Sequence, residues 1–480
     1  MPLRFAFLRT YKPLSGGGPI PPVGLLYLTS VLRGQFNNAI ENRLFDTGIE
    51  KPDAVLQALC RWQPDYVGFS VMSCEADLMT QMARSIKAAR KDVCTIVGGP
   101  HASVSGERLL DNPDLDFAVF GEGEKTLPAL IAALEERRDV STVEGIAYRR
   151  DNTPVRTSHR AYIDDLDEIP FPAWDLVDFA SYSARPTWVG SAKENMYAPI
   201  VTTRGCPYNC IFCHNMFGKR VRKRSAQNVI DEIALLHDRY KIREFHVIDD
   251  VFNIDPDRSV DIGERIKKKG WNLSLAFPNG LRADIMTEEV LDALKNAGTY
   301  KINYGFETTS ARLQKRIGKN LDVGKARETI RKTSRRGIIT GAYFMFGLPD
   351  QTREEIMETI DYAAGSELDV AFFFKATPYP QSAFHDLVEG DRARAAPDKF
   401  ADCHFYSVDR SYGLLDTAEL NSLILLAQQR FYLRLKRLGR GFFKAPRKME
   451  YFKNVLRVAA LVLQSYLMRS MTASNKGGEK

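Results

Sequence analysis

The chain has 480 residues, enough for two or three domains, and its 44% hydrophobic and 26% charged content is that of a globular protein. No run of 18 uncharged apolar residues predicts a membrane-spanning helix, and the N-terminus lacks the layout of a signal peptide. Seven cysteines do not form a disulfide framework, and a net charge of +7 over this length does not indicate nucleic-acid binding. We therefore expect a reduced, cytoplasmic location.

Residues 1–140 predict a doubly wound, Rossmann-like α/β domain, because short apolar segments alternate five times with helical patterns. The predicted strands are Leu3–Leu8, Arg43–Phe45, Tyr66–Val71, Cys94–Val97 and Phe117–Phe120. The predicted helices are Gly24–Leu32, Ala54–Trp62, Ala76–Arg90, Arg108–Asp111 and Leu127–Glu136. Turns of small residues follow three of the strands, at the sheet edge where such folds bind ligands; they contain Ser70, Gly98, Gly99, Gly121 and Glu122.

Residues 141–192 read as a linker, in which Ile146–Arg149 and Val155 suggest a small hairpin. An acidic, proline-containing stretch, Asp164–Trp174, follows and is typical of a connector. The β/α alternation then resumes and runs through residues 193–400, where about six units predict a partial (β/α)6 barrel. Its predicted strands are Ile200–Thr203, Glu244–Ile248, Leu273–Phe277, Lys301–Gly305, Gly341–Phe346 and Val370–Lys375.

Three cysteines, Cys206, Cys210 and Cys213, lie on the loop that follows the first barrel strand, with the spacing C-x3-C-x2-C. Three thiolates on one short loop can bind three irons of a [4Fe–4S] cluster and leave the fourth iron open. A structural zinc site needs a fourth ligand. His214 directly follows Cys213, where joint tetrahedral ligation is awkward, and no second C-x2-C pair exists; inert buried thiols are the other alternative.

Residues 401–480 lose the β/α rhythm and predict helices over Thr417–Leu438 and Arg447–Met468, with a break from Gly439 to Pro446. Ten Lys or Arg and a single acidic residue lie between Arg430 and Arg457. One interpretation is a pair of helices that cap the barrel, each with a solvated basic face. The other is contact with a membrane surface or an anionic, lipid-like substrate.

The cysteine spacing, with Phe212 in the aromatic position, resembles the signature of the radical S-adenosylmethionine (SAM) family. The resemblance implies that the open iron binds SAM and cleaves it reductively to a 5′-deoxyadenosyl radical. It also implies that Phe212 contacts SAM, and that further contacts come from the barrel strand ends: Asp249 and Asp250 for the amino group, Arg282 for the carboxylate or ribose, Glu307 for a ribose hydroxyl or the amine, and Gly347 near the adenine. An external electron donor of the flavodoxin or ferredoxin type is expected.

Four stretches of the first domain resemble the B12-binding domain that precedes many radical SAM cores: Pro21–Leu28, Asp65–Val71, Val97–Ala102 and Phe120–Glu124. The resemblance implies that Ser70, Gly98, Gly99, Gly121 and Glu122 contact cobalamin. The D-x-H-x-x-G motif that supplies a lower axial histidine elsewhere is absent, and His101 is the only histidine near the predicted site. A sheet that keeps only a scaffolding role is the alternative.

Together these features predict a cobalamin-dependent radical SAM enzyme that methylates an unactivated carbon. The alternatives are a radical SAM cyclase or rearrangement enzyme of the same family, acting on a tetrapyrrole- or lipid-type substrate, and a non-enzymatic iron–sulfur electron-transfer or sensor protein. Four aromatic residues suggest a small-molecule pocket that accepts apolar groups: Tyr304, Tyr343, Phe373 and Tyr379. Peripheral membrane contact through the basic C-terminal region is a further expectation, and no nucleic acid is expected.

Overall fold

The computed structural model describes residues 2–13, 18–187, 189–190, 192–213, 216–392, 411–453 and 455–456. Its first unit is a seven-stranded sheet with the order β2-β1-β3-β4-β5-β6-β7. The first five strands are parallel to one another and match the predicted ones. They are β1 (Leu3–Arg9), β2 (Ile40–Asp46), β3 (Tyr66–Ser70), β4 (Cys94–Gly98) and β5 (Phe117–Val119).

Five helices cover the two faces of this sheet: α1 (Val23–Phe36), α2 (Pro52–Trp62), α3 (Ala76–Ala89), α4 (Pro100–Ser105) and α5 (Gly123–Glu135). Successive side chains of a strand point to opposite faces. Phe5 and Phe7 of β1 accordingly pack with α1 and α5, whereas Ala6 and Leu8 pack with α2 and α3. Both faces are buried, as a doubly wound parallel sheet requires.

The hairpin predicted in the linker is the outer edge of this sheet. Strands β6 (Ile146–Arg150) and β7 (Thr153–Arg156) add to β5 in antiparallel fashion. Ile146 and Ala147 are fully buried on opposite faces, so the hairpin extends both apolar cores. After it come only short helical turns and α6 (Phe179–Ser183) before the second sheet begins.

The second sheet has six parallel strands in the order β15-β14-β13-β12-β11-β8, which confirms the predicted (β/α)6 arrangement. Its strands are β8 (Tyr197–Ile200), β11 (Glu244–Val247), β12 (Ser274–Leu281), β13 (Thr299–Glu307), β14 (Ile339–Phe346) and β15 (Val370–Lys375). The helices around it are α7 (Ala226–Tyr240), α8 (Pro256–Lys269), α9 (Glu288–Asn296), α10 (Ala311–Arg316), α11 (Val323–Arg335) and α12 (Arg353–Gly365). The predicted strand Ile200–Thr203 divides into β8 and a short strand, β9 (Thr203–Arg204), which pairs with β10 (Arg222–Lys223).

Three more helices follow: α13 (Ala383–Arg392), α14 (Thr417–Tyr432) and α15 (Leu435–Lys444). The prediction of one helix to Leu438 with a break from Gly439 was wrong, because the chain leaves helical geometry at Arg434 and α15 continues through Gly439. The cause is Arg437, whose buried guanidinium binds carbonyl oxygens at the end of α12 and so fixes where α15 begins. Residues 448–453 and 455–456 are helical, and the rest of the predicted helix Arg447–Met468 lies outside the described residues.

The predicted solvated basic face is wrong for α15, whose polarity is inverted. Arg437, Arg440 and Lys444 point towards the barrel and bind its carbonyl oxygens and Asp369. Leu435 and Phe443 are instead 84% and 80% exposed. Across the described ranges, no helix has the length and apolar character needed to cross a bilayer.

Candidate cofactor site

The cysteine loop leaves the carboxyl end of the first barrel strand, where α/β barrels hold their chemistry. Gly205 begins the loop with φ +88°, and a Cβ there would overlap the carbonyl oxygen of Arg220. The amide of Gly205 donates to Asp250 Oδ2 (3.0 Å), and that of Cys206 donates to the carbonyl of Gly218 (3.2 Å). The loop therefore closes on itself at a position that only glycine fits.

The segment at Ile317–Gly318 and the start of α13 also pack against this loop. The amide of Ile211 donates to the carbonyl of Ile317 (2.9 Å), and the amide of Phe384 in α13 donates to the carbonyl of Ile211 (2.8 Å). Gly318 approaches so closely that a Cβ would overlap the carbonyl oxygen of Asn209. Phe212 packs with Ile211 against an apolar cluster that includes Ile317 and Phe384, and its contact with SAM stays a prediction.

The three cysteine thiols lie near enough to one another to interact electrostatically. Desolvation of the thiols raises the pKa of each, and the pKa of Cys213 rises to about 12, with contributions from Cys210 and Cys206. Clustered, partly desolvated thiolates are stabilised by iron, which supplies the positive charge that water does not. The donor set therefore fits a cluster.

No group of three or more His, Cys, Asp or Glu side chains within the described ranges is arranged to hold a single metal ion. Each thiolate of a cubane binds its own iron, so three cluster ligands need not converge on one point. His214, the fourth ligand that a zinc site would need, lies outside the described residues.

The two adjacent aspartates have different surroundings. Both oxygens of the buried Asp249 accept hydrogen bonds from Thr202, one from its amide and one from its hydroxyl, each 2.5 Å long. Asp250 is exposed and accepts from the amide of Gly205 at the start of the cysteine loop. Of the two, Asp250 is the one whose carboxylate faces the site; the roles of both with SAM stay predictions.

The guanidinium of Arg282 braces the cysteine loop. It binds Asp284 (2.8 Å) and the carbonyls of Lys319 (2.9 Å) and Asn320 (3.0 Å), and it lies 3.7 Å from the ring centroid of Tyr208, between the first two cysteines. With a second bond to Asp284 (3.1 Å), these contacts occupy four of its five N–H donors within the protein. Its contact with SAM is still a prediction, and the geometry gives it a structural task in addition.

Glu307 and Lys319 form a buried ion pair of 2.8 Å beside the loop. The sequence predicted a role for Glu307 but not for Lys319, because no motif marks a lysine twelve residues farther along the chain. Gly347, predicted near the adenine, has φ +82° and donates its amide to Gln351 Oε1 (2.8 Å). A Cβ there would lie 2.9 Å from Leu420 in α14, so the glycine allows this helix to approach.

The carboxyl edge of the first sheet borders a cavity of about 180 Å³. All five residues predicted to contact cobalamin line it, namely Ser70, Gly98, Gly99, Gly121 and Glu122. Arg204, Met216 and Phe217, which flank the three cysteines, form the opposite wall. A Cβ at Gly99 would lie 2.9 Å from the amide nitrogen of Val71, so the turn stays free of side chains. A cavity of this size admits only part of a molecule as large as cobalamin.

His101 is not among the described residues that line this cavity. Burial lowers the pKa of its ring to about 4, and its Nδ1 lies 3.3 Å from Ser73 Oγ and 3.2 Å from Ser105 Oγ. The imidazole is therefore neutral and belongs to the packing of α4.

A buried ion network joins the cavity to the cysteine loop. Glu122 binds Arg204 (2.9 Å) and Arg222 (2.7 Å), and Glu124 binds Arg204 (2.5 Å). The carboxylate of Glu122 also accepts from the amide of Ile163 (2.7 Å), so both its oxygens are satisfied within the protein. Sequence reasoning missed this network, although Arg204 stands only two residues before Cys206.

The barrel lumen has an aromatic wall. Tyr304 and Phe373, predicted to face the pocket, point outwards, since Tyr304 bonds to Thr333 of α11 and Phe373 packs on Phe431 of α14. The alternate positions Tyr343, Phe372 and Phe374 face inwards and stack with ring centroids 5.0–6.1 Å apart. Successive side chains of a strand point to opposite faces, so Phe372 and Phe374 face the side opposite to Phe373.

Two family models match the chain: the B12 binding domain over residues 14–131 and the Radical SAM superfamily over residues 200–363. An uncharacterized methyltransferase of Pyrococcus horikoshii is 32% identical over 75% of this chain and 76% of its own length. Cytidylyl-2-hydroxyethylphosphonate methyltransferase of Streptomyces wedmorensis is 30% identical over 68% of this chain and 67% of its own length. The anaerobic magnesium-protoporphyrin IX monomethyl ester cyclase of Rubrivivax gelatinosus is 25% identical over 92% and 80%, respectively.

Two solved structures share the fold. The cobalamin-dependent SAM radical enzyme OxsB, with aqua-cobalamin and SAM bound, covers 99% of this chain and 81% of its own, with a TM-score of 0.74 and 17% identity. The radical SAM methyltransferase TsrM from Kitasatospora setae, with cobalamin and a [4Fe–4S] cluster bound, covers 83% of this chain and 76% of its own. Its TM-score is 0.67 at 20% identity.

Proposed function

The chain belongs to the radical SAM enzymes that carry an N-terminal B12-binding domain, as the sequence resemblance predicted, and from this premise we propose that it methylates an unactivated carbon of a small molecule. Two relatives that are at least 30% identical are both named as methyltransferases, which supports methyl transfer over other radical outcomes. The alternative of a non-enzymatic electron-transfer or sensor protein has no support among them.

Cys206, Cys210 and Cys213 hold the three protein-bound irons in this proposal. When bound, the cluster supplies the electron for SAM cleavage, and cobalamin carries the methyl group. Asp250 offers a carboxylate at the start of the loop, and Arg282 keeps Tyr208 and hence the loop in position. Ile317 and Phe384 are fully buried, and Ile211 and Phe212 of the loop pack against them, so this side of the loop is covered by apolar side chains.

The observation that carries the proposal is the cavity between the carboxyl edge of the first sheet and the cysteine loop. The turns with Ser70, Gly98, Gly99 and Gly121 face Met216 and Phe217 across it. We assign these turns to cobalamin, and Glu122 supports them through Arg204 and Arg222. A methyl carrier at this edge lies next to the cysteine loop, as methylation of a radical requires.

One anaerobic experiment tests the proposal. The protein is reconstituted with iron, sulfide and cobalamin, reduced in the presence of SAM, and assayed for 5′-deoxyadenosine and S-adenosylhomocysteine. Both products are expected. If only 5′-deoxyadenosine forms, the reaction is a cyclisation or rearrangement and not a methylation. If a protein that holds four irons forms neither product, the proposal that it is an enzyme is wrong. Cys210→Ala is expected to abolish both products.

A cyclase is the second candidate, favoured by the lumen wall of Tyr343, Phe372 and Phe374. Three stacked rings provide a surface for a flat or apolar substrate, and the cyclase relative aligns with 92% of this chain. The two candidates share this substrate class. The product assay above separates them.

We propose further that an acidic electron-transfer protein of the flavodoxin or ferredoxin type reduces the cluster. Lys219 and Arg220 are exposed next to the cysteine loop, and Lys219 bonds to the carbonyl of Tyr208 (2.6 Å). Positive charge beside the cluster favours encounter with such a donor. Lys219→Glu is expected to slow reduction by flavodoxin, measured by stopped-flow absorbance, while reduction by dithionite is unchanged.

The outward face of α15 supports a third part of the proposal, contact with a membrane surface. Leu435 and Phe443 of α15 are 84% and 80% exposed, and the helical residues 448–453 that follow expose Met449 (69%), Lys448 and Lys453. Apolar side chains flanked by lysine are typical of a helix that lies in the interface of an anionic bilayer.

Co-sedimentation with phosphatidylglycerol vesicles tests this contact. Leu435→Glu/Phe443→Glu is expected to lower the bound fraction at least tenfold, because each buried apolar side chain contributes about 1.5–3 kcal/mol. Leu414→Glu is the matched control, since Leu414 is 66% exposed but lies away from α15. Equal binding of the double variant and the control would refute membrane contact through α15.

A further inference from the structure

The end of the barrel that lies opposite the cysteine loop is the barrel base, formed by the amino ends of the strands and the carboxyl ends of the helices that precede them. Parallel strands begin at the same end of a barrel, so these segments lie side by side. Lys444 of α15 donates to the carbonyl of Ile338 before β14 (3.1 Å), and Arg447 donates to the carbonyl of Glu194 before β8 (2.8 Å). The chain from α15 onwards therefore crosses the barrel base, and the exposed face of α15 belongs to this end of the molecule.

The barrel base carries exposed cations that form no ion pair with another described residue. They are Lys193, Lys241, Arg243, Lys267, Lys268, Lys269 and Lys295. The ion pairs at this end involve other cations, such as Arg336 with Asp292 (2.6 Å) and Lys444 with Asp369 (2.8 Å). A cation in the last turn of a helix is favoured by the helix dipole, but α8 ends in three successive lysines, which repel one another. The dipole therefore accounts for only part of this charge.

The amino end of the first sheet provides a comparison, because it is built from the same kind of helix ends. The carboxyl edge of that sheet faces the cysteine loop across the cavity, so its amino end points away from the barrel base. Two of its cations are neutralised, since Arg90 binds Asp92 (2.7 Å) and Arg138 binds Glu136 (2.6 Å). No helix described on that sheet ends in successive lysines. The lysine run of α8 is therefore a particular feature of the barrel base.

Trp271 adds an aromatic side chain to the same surface. It follows the three lysines of α8, is half-buried, and stacks on His237 with ring centroids 5.3 Å apart. Lys269 Nζ lies 5.5 Å from the centroid of its ring. Tryptophan and lysine are both suited to the headgroup region of a bilayer, because each joins an apolar body to a polar end. With Leu435 and Phe443 of α15 exposed at this end, the barrel base combines positive charge with interfacial apolar groups.

We propose that the barrel base binds anionic phospholipid headgroups through Lys267, Lys268 and Lys269, and that it holds the mouth of the barrel away from the bilayer. This inference rests on the proposed membrane contact through α15 and adds a second, electrostatic surface to it. A few apolar side chains alone give marginal and reversible binding, and stable association needs a second signal such as a basic patch. Each lysine near an anionic surface strengthens binding about fivefold. The cysteine loop then faces the aqueous phase, from which SAM and an electron-donor protein reach it.

The test measures co-sedimentation of cluster-loaded protein with phosphatidylglycerol vesicles. Lys267→Gln/Lys268→Gln/Lys269→Gln is expected to raise the apparent Kd for lipid about a hundredfold, because three contributions of about fivefold are lost. Arg61→Gln/Lys91→Gln/Arg137→Gln is the matched control, since it removes three exposed charges at the carboxyl ends of α2, α3 and α5. The apparent Kd of this control is expected to change less than threefold.

The orientation on the vesicle is measured separately. Brominated phosphatidylglycerol is expected to quench the fluorescence of Trp271, and Trp271→Phe is expected to lose this lipid-dependent quenching. The Kd for radiolabelled SAM, measured by anaerobic equilibrium dialysis of the oxidised protein, is expected to be equal with and without vesicles, because the mouth of the barrel stays open to water.

Equal apparent Kd values in the α8 variant and its control would overturn the inference, and contact through α15 would stand if Leu435→Glu/Phe443→Glu still lost binding. A tenfold weaker SAM Kd on vesicles would also overturn it, since the mouth of the barrel would then face the bilayer. Tighter binding of single-stranded RNA than of the vesicles would assign the barrel base to nucleic acid instead. Wild-type protein that does not sediment with the vesicles would reject the proposed membrane contact itself.

Discussion

Gly318 marks the closest approach between the barrel and the cysteine loop. Its φ is +68°, and any Cβ would overlap the carbonyl oxygen of Asn209. Gly318→Ala is therefore expected to displace the loop and to lower the iron bound after reconstitution by more than half. Gly270→Ala is the matched control, since Gly270 has φ +67° but no atom within 4 Å of the point that a Cβ would occupy. Gly270→Ala is expected to lower the free energy of unfolding by about 1 kcal/mol and to bind as much iron as the wild type. Equal iron content in the two variants would contradict the role of Gly318.

Glu75 gives the first domain a pH dependence. Burial raises the pKa of its carboxyl to about 7 from an ordinary 4.5. Between these values the folded state holds a proton that the unfolded state has lost, so stability decreases as pH rises from about 4.5 to 7. Glu75→Gln is expected to be more stable than the wild type at pH 8 by up to about 3 kcal/mol, and to lose that advantage near pH 4.5.

Urea denaturation of the two proteins at pH 5 and pH 8 measures this difference. The glutamine amide oxygen can still accept the hydrogen bond from the Met72 amide (3.0 Å), but Glu75 also accepts from the backbone of Lys12, so the change of the stability difference with pH, and not its size at one pH, reports the charge. A stability difference that is the same at both pH values would show that the carboxyl does not titrate in this window.

Single residues differ in how far the sequence predicts them. The spacing of Cys206, Cys210 and Cys213 is local and carries its chemistry without the fold. Lys319 and Arg204 act through partners brought together by the fold, and Arg204 binds Glu122 from 82 positions away. No spacing rule reports such a contact.

At the scale of elements, the strands and helices of the two sheets follow from apolar periodicity, which tertiary packing reinforces. The predictions of elements were wrong where a single contact between residues far apart in the sequence determines the structure. The hairpin of β6 and β7 was predicted in a linker, but the burial of Ile146 and Ala147 attaches it to the sheet. The break before α15 depends on Arg437, whose partners lie some seventy residues earlier.

We expect Arg437 to hold α15 against the barrel. Its buried guanidinium donates to five carbonyls, those of Ala363, Ala364, Ser366, Leu368 and Phe431. Carbonyls at a helix end lack intrahelical partners and favour a cation. Arg437→Met is expected to destabilise the docking of α15 by about 2–4 kcal/mol.

Limited proteolysis at residues 433–436 reports this docking. Cleavage of Arg437→Met is expected to be at least tenfold faster than that of the wild type. Lys436→Met, at an exposed neighbouring position, is the control and should change stability by less than about 0.5 kcal/mol. Equal cleavage rates in the two variants would refute the anchoring role.

At the scale of the whole molecule, the two sheets do not pack as independent domains. Leu26 and Tyr27 of α1 belong to the same apolar core as the barrel strands. Tyr182 bonds to Asp46 (2.6 Å), and Ser30 bonds to the carbonyl of Phe171 (2.7 Å). The shared core holds the cavity between the carboxyl edge of the first sheet and the cysteine loop, and Glu122 is a buried charged link across it, bound to Arg204 and Arg222.

We therefore expect Glu122 to contribute to the cooperative unfolding of the two sheets. Glu122→Ala leaves Arg204 and Arg222 buried without this partner, at a cost of about 3–5 kcal/mol. Calorimetry is expected to show one unfolding transition for the wild type and two for the variant, because the sheets lose a buried polar connection. Asp175→Ala, which removes an exposed ion pair with Arg33 of α1, is the control and costs at most about 1 kcal/mol. A single transition in Glu122→Ala at the temperature of the control would mean that the apolar core alone couples the two sheets.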